Sequence, residues 1–96
     1  IYTDNLTNPA VIIEILSKST KDYDRGTKFN LYRNIKTLKE YILIDSTAIG
    51  VEIFTRQDDN SWILTEFKQL TDSFVISTIH LTIHLHDIYD DVSFEE

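Results

Sequence analysis

Residues 8–33 read NPAVIIEILSKSTKDYDRGTKFNLYR and indicate a strand, a polar loop and an amphipathic helix, in that order. Glu14 alone interrupts the apolar run from Val11 to Leu16, and four of the five apolar residues in that run are β-branched, which is typical of a strand covered on both faces. Because side chains alternate along a strand, Glu14 shares one face with Ile12 and Leu16. The pattern therefore predicts a carboxylate that points into an apolar layer.

The next segment has the apolar period of a helix that begins at Asp22 or Asp24, the candidate N-caps, and ends near Leu38. On a helical wheel Lys28 falls inside the apolar arc, which consists of Phe29, Leu31, Tyr32 and Ile35. We therefore expect Lys28 at the interface between helix and sheet, or at its edge. Two interpretations are open. Lys28 and Glu14 belong to one functional site, or each forms an ordinary structural ion pair with an oppositely charged side chain, which for Lys28 would be Asp24.

Residues 40–96 predict a second buried strand and several shorter ones. Glu40–Asp45 is expected to run parallel to the first strand, after a right-handed crossover through the helix. Val51–Arg56 and Trp62–Phe67 flank an acidic turn and predict an antiparallel hairpin. Short strands at 74–76 and 80–83 follow, and then a helical turn whose inward side consists of Leu85, Ile88 and Tyr89. The predicted class is a mixed α/β fold.

Three histidines near the end of the chain form a pattern with two interpretations. His80, His84 and His86 lie on one side of the segment if it stays extended. A His-x-His pair on a strand can bind zinc, although the sequence offers no evident third ligand. A polar outer face explains the same pattern without a metal.

Composition limits the classes of protein to which this chain can belong. The 96 residues predict one domain spanning 1–96. The absence of cysteine excludes disulfides and thiolate metal sites, and it is compatible with a reducing compartment, so we expect a cytoplasmic protein. No apolar run approaches the roughly 18 residues that a membrane-spanning helix needs. A membrane is therefore not an expected partner.

The charge is unevenly distributed along the chain. The net charge of −7 disfavours nucleic acid as a partner. Residues 18–39, however, hold seven of the nine basic residues against two acidic ones, whereas residues 40–96 hold twelve acidic and two basic residues. A basic patch of this kind suits a phosphodiester substrate. A solvated helix face explains the same basic residues equally well.

The stretches NPAVIIEILSKST, KDYDRGTKFNLYR and IKTLKEYILID resemble the Uma-type family of restriction endonucleases, bacterial proteins of the PD-(D/E)xK nuclease superfamily. The resemblance implies a restriction-endonuclease-like core, a strand–helix–strand unit followed by an antiparallel hairpin. It implies hydrolysis of DNA phosphodiester bonds with Mg²⁺ or Mn²⁺. Glu14 is implied as a metal ligand, the Ile15 carbonyl as a second ligand, and Lys28 as the residue that orients or activates the attacking water. The pair Glu40 and Tyr41, also a family feature, is expected to pack beside the site.

The sequence departs from the superfamily pattern in two ways. The superfamily places acid and lysine on one strand as E-x-K, but Leu16 occupies the lysine position here. The resemblance implies that Lys28 of the helix takes the role of that lysine. The superfamily also uses an aspartate from a preceding strand, whereas Asp4 is too close in sequence to Glu14 to lie on a separate paired strand. The chain thus resembles the C-terminal half of a family member.

Several expectations follow from this incomplete pattern. We expect weak Mg²⁺ binding by these residues alone. We also expect association with an N-terminal half or with a second copy of the chain, because an open sheet edge favours pairing. Two alternatives to catalysis are open. One is an interaction or dimerisation module that keeps the fold without the site, and the other is a nucleic-acid binder that uses residues 18–39.

Overall fold

A computed structural model describes residues 8–19, 24–90, 92 and 94 of the chain. Its main sheet has four strands in the order β1-β2-β3-β4, with β1 parallel to β2 and the remaining neighbours antiparallel. The strands are β1 Val11–Leu16, β2 Glu40–Asp45, β3 Val51–Arg56 and β4 Trp62–Phe67. The predicted crossover pair and the predicted hairpin are both confirmed, and so is the mixed α/β class.

A second, two-stranded sheet contains β5, Ser73–Ile76, and β6, Leu81–His84, joined by a 3₁₀ turn at Ser77–Ile79. The prediction that the last strand begins at His80 is wrong, because His80 adopts a left-handed backbone conformation with φ of 53°. The short helix that follows β6 spans Leu85–Ile88. Its inward side is as predicted: Leu85 and Tyr89 are buried and Ile88 packs on the same apolar cluster.

The segment between β1 and β2 is less helical than the sequence predicts. It forms one π-helical turn at Asp24–Lys28 and then α1, the short α-helix Phe29–Tyr32. The predicted continuation to Leu38 is wrong: beyond Tyr32 the amides of Asn34, Ile35 and Leu38 donate to carbonyls three residues earlier, as in turns. Arg56 of β3 donates to three main-chain carbonyls of this non-helical stretch. The side chains of Asp22 and Asp24, the predicted N-caps, lie outside the described part of the chain.

Apolar layers cover both faces of the main sheet. The layer on the side of α1 contains Ile12, Leu16, Leu38, Tyr41 and Leu43, packed against Phe29, Tyr32, Ile35, Phe54 and Trp62. The layer on the other side contains Val11, Ile42, Val51, Ile53, Phe74, Ile76, Leu85 and Tyr89. Hence α1 and the β5–β6 sheet lie on opposite faces.

Two apolar side chains are more exposed than predicted. Leu31, placed in the buried arc by the wheel, is 60% exposed, because the short α1 directs only Phe29 and Tyr32 onto the sheet. Ile15 is 59% exposed, because β1 is the edge strand of the sheet and the C-terminal end of β1 is not covered on the face to which Ile15 points. In the described residues, no helix is long and apolar enough to cross a bilayer.

Candidate active site

Glu14 lies on the face of the sheet that α1 covers. It occupies the middle of β1 opposite Leu43 of β2, and Ile12 and Leu16 on either side of it belong to the layer beneath α1. Its side chain is 13% exposed. The prediction that Glu14 enters an apolar layer is confirmed, and such a carboxylate is costly unless polar groups surround it.

Two side chains of the helical segment reach the Glu14 carboxylate. The Tyr32 hydroxyl donates a hydrogen bond to Oε1 over 3.2 Å. The Lys28 ammonium lies 3.7 Å from Oε2, and its side chain is 28% exposed. The predicted convergence of Glu14 and Lys28 is therefore observed, and their catalytic roles stay predictions. The Tyr32 contact was missed by the sequence reasoning, although Lys28 and Tyr32 are four residues apart and share a helix face.

Aromatic packing holds the helical segment against the sheet. The Phe29 ring stacks on Phe54 with a centroid distance of 4.3 Å and meets Trp62 edge-on at 5.4 Å. The Tyr32 ring meets Tyr41 edge-on at 5.3 Å. Because Phe29 follows Lys28 directly, these contacts fix the point from which the lysine side chain starts. The π-helical turn that ends at Lys28 also belongs to a class of turn that is frequent at functional sites.

Arg56 fixes the other end of the same segment. Its guanidinium donates hydrogen bonds to the carbonyls of Ile35 and Lys36, at 3.0 and 2.9 Å, and to that of Arg33. It also lies over the Trp62 ring, 4.6 Å from the centroid. A planar donor fork suits three carbonyls that point to one place. Nothing in the sequence around Lys28 indicates this long-range contact.

The backbone of β1 offers a second oxygen near Glu14. The carbonyls of Ala10 and Leu16 accept hydrogen bonds from the β2 side. Because backbone groups alternate between the two edges of a strand, the Ile15 carbonyl points away from β2. None of the other described strands pairs with that edge. The Ile15 carbonyl, which the resemblance implies as a metal ligand, therefore lies on the edge of β1 that no other described strand pairs with, and its role stays a prediction.

The donors present fit Mg²⁺ or Mn²⁺ as a partial set. Among the described residues, no group of three His, Cys, Asp or Glu side chains could hold a metal ion. Mg²⁺, however, keeps several waters and binds through one or two carboxylates plus substrate phosphates. One carboxylate and one carbonyl are compatible with that mode, and further ligands have to come from water, substrate or another part of the protein.

Tyr41 and Glu40 lie on opposite faces of β2. Tyr41 packs beside the site, as predicted, through its contact with Tyr32. Glu40 does not: it pairs with Val11 across the sheet, is 3% exposed and accepts hydrogen bonds from Ser77 and Thr78 on the far side. The prediction for Glu40 is wrong because neighbouring residues of a strand point to opposite faces.

The histidines do not form the extended row that a zinc site would need. His84 ends β6, His86 lies in the helix after it, and their rings stack at 5.6 Å. His86 approaches Asp87 at 3.1 Å. Across residues 8–19 and 24–90 no three-ligand group includes them.

A cavity of about 300 Å³ lies beyond the carboxyl ends of β1 and β2, and the sequence reasoning missed it. Asp45, Glu52 and Glu66 line it together with Lys68. Glu52 and Glu66 face each other across the β3–β4 pair, a like-charge arrangement that is unfavourable unless a cation is near. Lys68 pairs with Glu66 at 3.3 Å and offsets part of that repulsion.

Comparison with known proteins relates this site to one family. A family model, Uma2, described as "Putative restriction endonuclease", matches residues 3–86. The uncharacterized protein slr1290 of Synechocystis sp. is 34% identical over 92 residues, which cover 96% of this chain and 48% of the relative. The uncharacterized protein sll1609 of the same organism is 44% identical over 69 residues, covering 68% of this chain and 39% of the relative. The chain thus spans about half the length, or less, of the curated relatives it matches.

Proposed function

The chain belongs to the Uma2 family, and on that premise we propose that it supplies part of the active site of a Mg²⁺- or Mn²⁺-dependent endonuclease that hydrolyses DNA phosphodiester bonds. The mixed α/β architecture is consistent with a restriction-endonuclease-like fold. The observation that carries the proposal is the approach of the Lys28 ammonium to the Glu14 carboxylate, at 3.7 Å, from two different elements of the chain.

Each residue has a distinct role in this proposal. Glu14 and the Ile15 carbonyl would hold the metal ion, which supplies Lewis acidity and an acidified water molecule when bound. The Lys28 ammonium would orient the attacking water and stabilise the negative charge that develops on the phosphoryl oxygens as the P–O bond breaks. The Tyr32 hydroxyl would hold one carboxylate oxygen in place and leave the other for the metal. Tyr32 is thus a positioning residue.

We further propose that the remaining protein ligand comes from outside the described residues. The edge of β1 that points away from β2 supports this, because an open edge accepts another strand by main-chain hydrogen bonding. The exposed Ile15 side chain beside that edge gives such a strand apolar surface to cover. The partner would be an N-terminal half, as the length of the relatives suggests, or a second copy of this chain.

A plasmid-nicking assay on the full-length protein tests the proposal. We expect nicking that requires Mg²⁺ or Mn²⁺ and stops with EDTA. Glu14→Ala and Lys28→Ala should each lower the rate by about 100-fold or more, the range seen when one group that stabilises a transition state is removed. Glu52→Gln is the matched control, because it neutralises a carboxylate on the same sheet face, two strands from Glu14.

The outcomes separate two functions. Full activity in Glu14→Ala and Lys28→Ala would show that the site lies elsewhere. A folded wild-type protein that binds DNA but leaves it intact with either metal would favour the second candidate, a nucleic-acid-binding module without cleavage. One observation supports that candidate: Arg33, Lys36 and Arg56 line one pocket together, and cations grouped in this way suit a phosphate backbone.

A further inference from the structure

A basic pocket lies at the end of the helical segment, on the side away from Lys28. Its volume is about 420 Å³, and it is lined by Arg33, Asn34, Lys36, Arg56 and Asn60. Three of the five side chains are cations, two are carboxamides, and no carboxylate lines it. Such a set can bind an anion by charge and by hydrogen bonds at the same time.

The three cations keep their charge available. Within the described part of the chain, none of Arg33, Lys36 and Arg56 forms an ion pair with a carboxylate. Arg33 and Lys36 are exposed, and their hydrogen bonds within the described residues involve main-chain groups, among them the carbonyls that accept from Arg56. An anion in the pocket would therefore displace no internal salt bridge.

Arg56 makes the pocket preorganised. Its terminal nitrogens are bound to backbone carbonyls, its plane lies over Trp62, and its buried Nε has no hydrogen-bond partner among the protein atoms described. The same hydrogen bonds hold the backbone of Arg33 and Lys36. Arg56 therefore fixes its own guanidinium and also the main-chain positions from which the Arg33 and Lys36 side chains extend. A ligand then loses less free energy to ordering these side chains.

The pocket and the Glu14–Lys28 pair are connected by one short helix. Lys28 precedes α1 and Arg33 follows it, so the two residues are about 7.5 Å apart along the axis at 1.5 Å per residue. The pocket and the Glu14–Lys28 pair are therefore close enough for one nucleic-acid strand to contact both.

We propose that this pocket binds a backbone phosphate of the nucleic-acid strand that enters the Glu14–Lys28 site. The inference rests on the proposed nuclease function and extends it with a contact that positions substrate without reading its sequence. Contacts from Arg, Lys and Asn to phosphate act in this way, since they fix register and carry no base information. The pocket supplies affinity, and the Glu14–Lys28 pair supplies the chemistry.

Fluorescence anisotropy of labelled DNA with the full-length protein tests the pocket, with EDTA present to prevent cleavage. Arg33→Gln and Lys36→Gln remove exposed charges and leave the backbone contacts to Arg56 intact. We expect each to weaken binding about fivefold at low salt and to reduce the slope of log K against log salt concentration by about 1. Lys68→Gln is the control, because it makes the same charge change beyond the opposite end of the β3–β4 hairpin.

Each outcome has a distinct meaning. An equal loss of affinity in Lys68→Gln would overturn the proposal that the pocket binds phosphate, because net charge alone would then explain the change in binding. Unchanged affinity and salt slope in both pocket variants would also overturn it, even if cleavage still depends on Glu14. A protein that binds DNA with the expected pocket dependence but cleaves nothing in the nicking assay overturns the nuclease proposal and leaves the phosphate contact standing.

Discussion

Two glutamates on adjacent strands of the same sheet have opposite surroundings. Glu40 of β2 accepts three hydrogen bonds, from the Ser77 amide at 3.2 Å and from the amide and hydroxyl of Thr78 at 2.8 Å each. Among the described residues, Glu14 of β1 accepts one, from the Tyr32 hydroxyl, and its other close partner there is the Lys28 ammonium at 3.7 Å, beyond ordinary hydrogen-bond distance. Two of the three bonds to Glu40 are 2.8 Å long and two come from the main chain, whereas both contacts to Glu14 come from side chains and are 3.2 Å or longer.

The difference separates a structural carboxylate from a candidate functional one. Both oxygens of Glu40 are used to dock the turn Ser77–Ile79 onto the sheet, and Glu40 is almost completely buried. An ionised carboxylate has about four acceptor positions. Glu14 therefore keeps acceptor capacity beside a cation, which is the condition that a metal ligand must meet. The two glutamates can be compared directly by experiment.

Removing Glu40 should have the largest effect on stability. Glu40→Leu removes a buried carboxylate that accepts from two amides and one hydroxyl at part-buried contacts, which should lower the free energy of unfolding by about 2–3 kcal/mol. Urea unfolding of the full-length protein, followed by Trp62 fluorescence, measures the change. Glu66→Leu is the control, since its exposed ion pair with Lys68 should contribute less than about 1 kcal/mol. Equal losses in both variants would refute the structural role of Glu40.

Tyr89→Phe should have an intermediate effect on the same side of the sheet. The Tyr89 hydroxyl donates to the Asp45 carbonyl at 2.7 Å and accepts from the Gly50 amide at 3.0 Å, and so joins the last turn of the chain to the β2–β3 connection. Losing both bonds should cost about 1–2 kcal/mol of unfolding free energy. Urea unfolding near pH 7 checks this, and a loss below about 0.3 kcal/mol would contradict it.

The pH dependence of the same variant gives an independent check. Burial raises the pKa of Tyr89 above its usual value, so the folded protein holds this phenolic proton more tightly than the unfolded chain does. This contribution to stability is fully present below pH about 10, where the unfolded tyrosine titrates, and is lost as the pH rises towards the folded-state pKa. The stability difference between wild type and Tyr89→Phe should therefore shrink above pH about 10. A difference that grows there would contradict the assignment.

The sequence predicts the strands well because each has a local signal. An apolar run locates β2, alternation and turn residues locate β3 and β4, and two independent periodicities place Glu14 and Lys28 near each other. The same alternation could also have separated Glu40 from Tyr41, because adjacent strand residues point to opposite faces.

The helix end and the basic pocket could not be predicted in this way. Arg56 contacts the main chain beyond the helix and lines the pocket, but it is more than twenty residues from Arg33 in the chain and carries no local signature of its role. Leu31 shows the same limit, since a wheel assumes a continuous α-helix and the structure has a π-turn and one short α-turn.

Glu14→Gln should have the smallest effect on stability. Glutamine keeps the shape of glutamate and an acceptor for the Tyr32 hydroxyl, and the partly exposed Lys28 can extend its ammonium towards water. We therefore expect the free energy of unfolding without divalent metal to change by less than about 1 kcal/mol. A loss as large as that of Glu40→Leu would mean that Glu14 is also structural, and the comparison between the two carboxylates would fail.

The effect of Mg²⁺ on stability can sharpen the comparison between Glu14 and Glu40. A ligand that binds only the folded state stabilises it by RT ln(1 + [L]/Kd), which is about 0.4 kcal/mol when the Mg²⁺ concentration equals the dissociation constant. Wild type should gain this increment as Mg²⁺ is raised, whereas Glu14→Gln should not, because a neutral amide is a poor ligand for Mg²⁺ compared with a carboxylate. Glu40→Gln should gain the increment from its own lower baseline, since Glu40 lies on the other face. Equal Mg²⁺ increments in wild type and Glu14→Gln would show that the ion binds elsewhere, and the longer contacts around Glu14 would then need an explanation other than metal binding.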